Sequence, residues 1–226
     1  MFNSYFQEVF TKDNGENLSL DLKKSNQMPP IEISLTDITY SLLNSKHKIS
    51  RTPDNVPAYF IRRIGPNILQ PLHFIFNASL NCNAIPVQWK SAIIVPIYKR
   101  GSRQKVNNYR PVSLTSSFSQ IMESIRVSKI MQHLLANNLL SPQQFGFIPG
   151  KSTSSQLLTA SFEWVTSFQR NLDTNIIYTD VSKAFDTVSH PKLINTLRAF
   201  TGLPLFRQSQ VNQVKSGKIE KPKKVR

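Results

Sequence analysis

The chain has 226 residues, with 28 Lys and Arg against 13 Asp and Glu, a formal charge of +15. Hydrophobic residues make up 39% and aromatics 10%, which is enough apolar material for a packed core and excludes a wholly disordered chain. A single cysteine, Cys82, excludes a disulfide framework or a cysteine-rich zinc site within one chain, and no apolar run approaches the roughly 20 residues of a membrane span.

Residues 1–30 are polar with scattered Phe and end in Met28-Pro29-Pro30, which reads as a loosely packed lead-in. The segment from Met1 to Glu16 lacks the basic and apolar run of a secretory leader, so the chain reads as intracellular, nuclear or cytoplasmic, with no membrane partner. Ser34-Leu35-Thr36-Asp37 has capping-box spacing, and Ile38, Leu42 and Leu43 follow at helical intervals. Arg51 to Pro57 is a turn-rich loop. Ile68 to Leu80 carries a helical stripe, with Pro71 expected near its start. Ala92 to Tyr98 is β-branched and apolar and predicts a strand with an edge or a bulge at Pro96. Lys99 to Tyr109 is a basic loop, after which Ser119 is a candidate cap for a helix carrying Ile121, Met122, Ile125, Ile130, Met131 and Leu134. Ser152 to Phe168 reads as a helix, Asn175 to Val181 as a strand, and Pro191 opens a helix with Leu193, Ile194, Leu197 and Phe200. Helices interrupted by two strands predict an α+β, or mixed α/β, domain.

The charge is unevenly placed. From Asn55 to Met122 there is no acidic residue, while Arg62, Arg63, Lys90, Lys99, Arg100, Arg103, Lys105 and Arg110 all fall there. A second basic block is the tail from Arg207 to Arg226. Clustered cations without acids favour a polyanion partner, because neutralising phosphates releases counterions. The alternative is a solvated basic surface.

Asp180 stands at the end of the predicted strand 175–181, where a turn admits water and substrate and a carboxylate can take up Mg²⁺. Its other reading is a turn or cap residue, with Asp186 capping the next helix. Gly150-Lys151-Ser152-Thr153 imitates the end of a phosphate-binding P-loop, but Phe145 stands where that loop needs a glycine. His47, His73, His133 and His190 lack metal-ligand spacing, and Cys82 has no base beside it in sequence, so it is expected as a buried thiol.

Four segments, in order, resemble the reverse transcriptases of non-LTR (LINE-like) retrotransposons. They are Pro86-Val87-Gln88-Trp89-Lys90 leading into Ile94-Val95-Pro96-Ile97-Tyr98-Lys99, then Asn108-Tyr109-Arg110-Pro111-Val112-Ser113-Leu114, then Gln143-Gln144-Phe145-Gly146-Phe147 with Pro149-Gly150-Lys151-Ser152-Thr153, and Asp180-Val181-Ser182-Lys183-Ala184-Phe185-Asp186. The resemblance runs from about Phe6 to Phe200. It implies right-hand polymerase fingers over 51–173, after a lead-in and helix over 1–50, and the start of the palm over 174–204, with 205–226 an expected disordered basic tail. It implies Asp180 as a catalytic, metal-binding carboxylate and Phe185 as the aromatic that excludes a nucleotide 2′-OH. Lys99 and Arg110 would reach the incoming triphosphate, and Gly146, Gly150, Lys151, Ser152 and Thr153 would lie along the template. The implied partners are an RNA template, a DNA primer, deoxynucleoside triphosphates and Mg²⁺. Ile148, Asn55 and Ser124 depart from the family pattern, which has a basic residue, a glycine and an arginine there.

Two-metal phosphoryl transfer needs several carboxylates. The family draws the others from an aromatic-x-Asp-Asp hairpin, and this sequence has no Asp-Asp pair; after Asp186 its only acid is Glu220. The expectation is a polymerase fragment inactive by itself. Its competitors are a nucleic-acid-binding remnant without chemistry and a relic that does not fold stably.

Overall fold

The computed structural model describes residues 2, 5–6, 27–45, 52–181, 184–185, 187–202 and 218–219. Ser34 opens α1 (Leu35–Asn44) as the spacing predicts: Asp37 N donates to Ser34 Oγ at 3.1 Å, and Ser34 N donates to Asp37 Oδ2 at 2.8 Å, so two otherwise orphaned donors are satisfied. α1 buries Ile38 and Leu42 against α3 (Gly65–Asn81) and α4 (Ser117–Ala136), with the short α2 (Ala58–Arg63) alongside. Ile33, Ile61, Leu72, Phe76, Ile121, Met122 and Ile125 complete the core.

At the end of the predicted lead-in 1–30, Gln27, Pro29 and Pro30 are exposed, and the chain packs just beyond it. Ile33 is buried, and the Asn77 carboxamide grips its backbone: Ile33 N donates to Asn77 Oδ1 at 3.0 Å and Asn77 Nδ2 donates to Ile33 O at 2.8 Å. α3 starts at Gly65 with Pro66 in its first turn, so Pro71 falls inside the helix rather than near its start. The buried Leu72 and Phe76 hold that helix in place where the proline removes a backbone donor. Ser119 does not cap α4; its hydroxyl donates to Glu123 within the helix at 2.8 Å, and Ser116 is the cap residue. The Ser116 hydroxyl goes instead to Asp54 Oδ2 at 2.6 Å, while Asp54 Oδ1 takes Val56 N at 3.2 Å and the Thr52 hydroxyl. Asp54 thus ties the 52–56 loop to the head of α4, and Asn55 turns that loop at φ 55° where the family pattern has glycine. Cys82 ends α3 and is exposed, not buried.

β1 (Ala92–Tyr98) is the predicted strand. Its partner β2 (Tyr109–Thr115), antiparallel from Ala92↔Thr115 to Tyr98↔Tyr109, lies in what reads in sequence as the end of a basic loop and the segment after it. Lys99 N donates to Asn108 O at 2.8 Å, which makes 99/108 a hydrogen-bonded pair and, by alternation, Pro96/Pro111 a non-bonded one. Both prolines therefore point their missing donors out of this ladder, and no bulge is needed. In the tail, Lys218–Ile219 form β3, parallel to β1 at Ile93 and Ile94, giving the order β2-β1-β3.

α5 (Thr153–Gln169) follows a loop, and α6 (His190–Thr201) packs on α4, capped by Ser189 and ended by Gly202 at φ 65°. The predicted strand 175–181 is not one. Residues 172–181 carry no regular structure and have no ladder partner among the described residues. A run of Ile and Tyr has strand propensity, but a strand exists only when a neighbour takes its backbone groups.

Candidate functional site

The hairpin brings Lys99 and Arg110 together. Arg110 pairs with Ile97, and Lys99 lies two residues beyond Ile97, so the two cations share one face as diagonal neighbours. Both are exposed. The tip between them is built rather than loose. Gly101 turns at φ 87°, and a Cβ there would stand 2.8 Å from Asn108 Nδ2, so only glycine fits. Asn108 Nδ2 donates to Ser102 O at 2.7 Å, the Tyr109 hydroxyl donates to Arg103 O at 2.9 Å, and the Tyr98 hydroxyl donates to Gly101 O. Tyr98 and Tyr109 meet edge-on at 5.7 Å on the opposite face from Lys99 and Arg110, and Arg103 lies over the Tyr98 ring at 5.2 Å. The tip therefore holds four cations, Lys99, Arg100, Arg103 and Lys105, on a braced turn, a geometry suited to phosphate. The two tyrosines that brace it were not singled out from sequence; their signal is symmetric placement at the mouth of the loop.

The second cluster is the loop before α5. Gly146 opens a turn, Gly150 adopts φ 78°, which is costly for any other residue, and Ser152 caps α5 in a box with Ser155, whose N donates to Ser152 Oγ at 3.1 Å. Lys151 does not reach outward. Its ammonium donates to Pro142 O and, at 2.9 Å, to Gln144 O, and lies 4.8 Å from the centre of the Phe145 ring. Lys151 and Ser152 thus have structural work, while Thr153 is the first, exposed residue of α5. From this loop Phe147 meets Phe185, rings perpendicular and 6.1 Å apart, joining the 146–153 loop to the segment that follows Asp180.

Asp180 is exposed on the irregular 172–181 segment; Ser182, Lys183 and Asp186 lie outside the described residues. No group of three His, Cys, Asp or Glu side chains able to hold a metal ion stands together among the described residues. Asp180 offers one carboxylate, which does not by itself make a two-ion site. No hydrogen bond, ion pair or ring contact among the described residues links Asp180 to the hairpin cations. A cleft of about 870 Å³ lies elsewhere, between α1, α4 and β2, and none of these residues lines it. No described helix is long and apolar enough to cross a membrane.

Residues 97–224 match the family model described as reverse transcriptase (RNA-dependent DNA polymerase). The chain is 28% identical over 205 residues to a probable RNA-directed DNA polymerase from transposon BS of Drosophila melanogaster, covering 90% of this chain and 23% of that protein. It is 30% identical over 173 residues to the RNA-directed DNA polymerase from mobile element jockey of the same species, covering 73% and 19%. A 149 kDa protein of transposon TX1 from Xenopus laevis is 22% identical over 212 residues, covering 90% and 16%. The chain thus spans a quarter or less of the length of these curated relatives. It belongs to the reverse transcriptase (RNA-dependent DNA polymerase) family of non-LTR retrotransposons.

Proposed function

We propose that this chain is the nucleotide-gripping part of an intracellular RNA-directed DNA polymerase: fingers over 51–173, then the start of the palm over 174–204. The observation that carries this reading is the braced hairpin with Lys99 and Arg110 on one exposed face, inside a stretch free of acids. Ammonium and guanidinium groups so placed offset the charge of a triphosphate and the charge that develops on phosphoryl transfer. An RNA template paired to a DNA primer lies along the 146–153 loop, and Phe185 faces the nucleotide sugar. Asp180 is one ligand of Mg²⁺, which by its nature completes its shell with phosphate oxygens, water and further carboxylates. Residues 1–226 alone bind these partners without extending the primer, because they supply too few carboxylates for two ions.

The test is deoxynucleoside triphosphate binding by the chain loaded with an RNA–DNA template–primer. Arg110→Ala and Lys99→Ala should each weaken binding by about tenfold or more, the value of a charge-assisted hydrogen bond. Unchanged affinity in both variants would remove the assignment. Primer extension by residues 1–226, abolished by Asp180→Ala, would refute incompleteness. The second reading, a nucleic-acid-binding module without nucleotide chemistry, rests on the same acid-free stretch. It expects salt-sensitive template binding with no triphosphate site.

A further inference from the structure

Among the described residues, five other than glycine have positive φ, and four of them are Asn55, Asn83, Asn138 and Asn171. Asparagine tolerates the left-handed region through local hydrogen bonding of its short side chain. The fifth is Phe147 at φ 62°, and for so bulky a residue this conformation is an outlier. Its ring is not held there by burial, being 83% exposed. What it does meet is the ring of Phe185, itself 80% exposed, edge to face at 6.1 Å and 90°.

The loop around Phe147 is fixed without the ring. Ile148 is buried, Gln144 N donates to Ser141 O at 3.0 Å, Lys151 N donates to Ile148 O at 3.2 Å, and the Lys151 ammonium closes the loop from inside. A braced loop thus presents an exposed aromatic, in an unfavoured backbone conformation, to a second exposed aromatic.

We propose that Phe147 is a positioning residue for Phe185: the edge-to-face contact holds the Phe185 ring as a fixed wall and so sharpens rejection of a nucleotide 2′-OH. This rests on the reading above that Phe185 faces the sugar. A wall discriminates between two ligands differing by one hydroxyl only if it cannot swing aside, and an exposed phenylalanine alone is free to change rotamer.

The experiment compares dATP and ATP binding, each with Mg²⁺, by the full 226-residue chain loaded with template–primer, and reads the ratio of the two affinities. Phe147→Gly suits the test because glycine accepts φ 62° freely, so the ring is deleted while the loop is relieved rather than strained. The expected result is a loss of discrimination of about two- to tenfold, the range of one aromatic pair, with an unchanged or higher thermal midpoint. Phe147→Tyr should restore the ratio, and Phe147→Gly should change nothing further in a Phe185→Ala background. Full discrimination in Phe147→Gly, with discrimination lost in Phe185→Ala, overturns the positioning role and leaves Phe185 at the sugar. If Phe185→Ala also keeps the ratio, or the chain does not distinguish the two nucleotides, both statements fall together.

Discussion

Two helices of equal length, α3 and α5, each 17 residues, meet opposite fates. α3 buries Leu72 and Phe76 against α1, whereas α5 buries nothing: Leu157, Leu158, Phe162, Val165 and Phe168 all face solvent. Their stripes read alike in sequence. α5 opens on its Ser152 capping box, while Thr159 and Thr166 donate their hydroxyls back to Ser155 O and Phe162 O, contacts that slightly weaken a helix rather than hold it. Periodicity and caps therefore specify a helix, and only a neighbour gives it tertiary stability. The same contrast separates β1, paired along its whole length, from the 175–181 segment with comparable composition and no ladder.

The largest expected effect is in amide exchange. Core amides around Ile121 to Ile125 should open only with the whole fold, at about 5–15 kcal/mol for a stable domain, while Ile176 to Val181 should exchange at nearly the rate of unstructured peptide. Protection of 176–181 equal to that of α4 would mean that a partner strand covers it and would erase the contrast.

Next comes truncation of a large aromatic on each side. Phe76 is 0% exposed and packs edge-on to Trp89 at 5.7 Å. Phe76→Ala should cost about 3–5 kcal/mol in denaturant unfolding. Phe168, 82% exposed, should change stability by less than about 0.5 kcal/mol when cut to Ala. Equal effects would show that α5 has its own core. Absence of any cooperative transition would instead favour the relic that never folds stably.

How much of this was legible follows from where each signal resides. Ser34 and Asp37 are three residues apart and cap within one turn, so their box could be read directly. β1 could be read from β-branching alone. β2 could not, because Val112 and Leu114 share their face with Arg110 and Pro111 breaks the run, and its strand character shows only in the ladder with β1, where Pro111 faces Pro96 in a non-bonded position. The grouping of Lys99 with Arg110 depends on that register and was visible only as two residues on two motifs. Phe147 is legible only as part of the 146–153 segment that the resemblance sets along the template, since neither its φ nor its contact with Phe185 leaves a trace in residue order.

Asp54 sharpens the comparison at smaller scale. It accepts from Thr52, Val56 and Ser116, so Asp54→Ala leaves the fully buried Ser116 hydroxyl without its acceptor. The expected cost is about 1–3 kcal/mol. Asp180→Ala, on the exposed side of the molecule, should leave the unfolding midpoint where it is. If the two aspartates cost the same, Asp54 is not the clasp between the 52–56 loop and α4.

Smaller than the Asp54 contribution is that of Asp37, which caps α1 and bridges to α4. Its carboxylate lies 2.9 Å from the Lys129 ammonium. Partial burial pushes its pKa up, but the backbone N–H of Ser34, the Lys129 ammonium and the Ser34 hydroxyl together hold it below the ordinary aspartate value. A carboxyl group whose folded pKa lies below its unfolded one contributes stability above the unfolded pKa, about 3.9, and loses it as pH falls through the folded value. Asp37→Asn should therefore cost about 0.5–1 kcal/mol at neutral pH, the size of a partly exposed pair at a helix N-terminus. The gap to the wild type should close as the solution is acidified past that folded pKa, and it should narrow with added salt. A gap that persisted in acid would place the contribution in the shape of the cap, which asparagine keeps only in part, and not in the charge that joins α1 to α4.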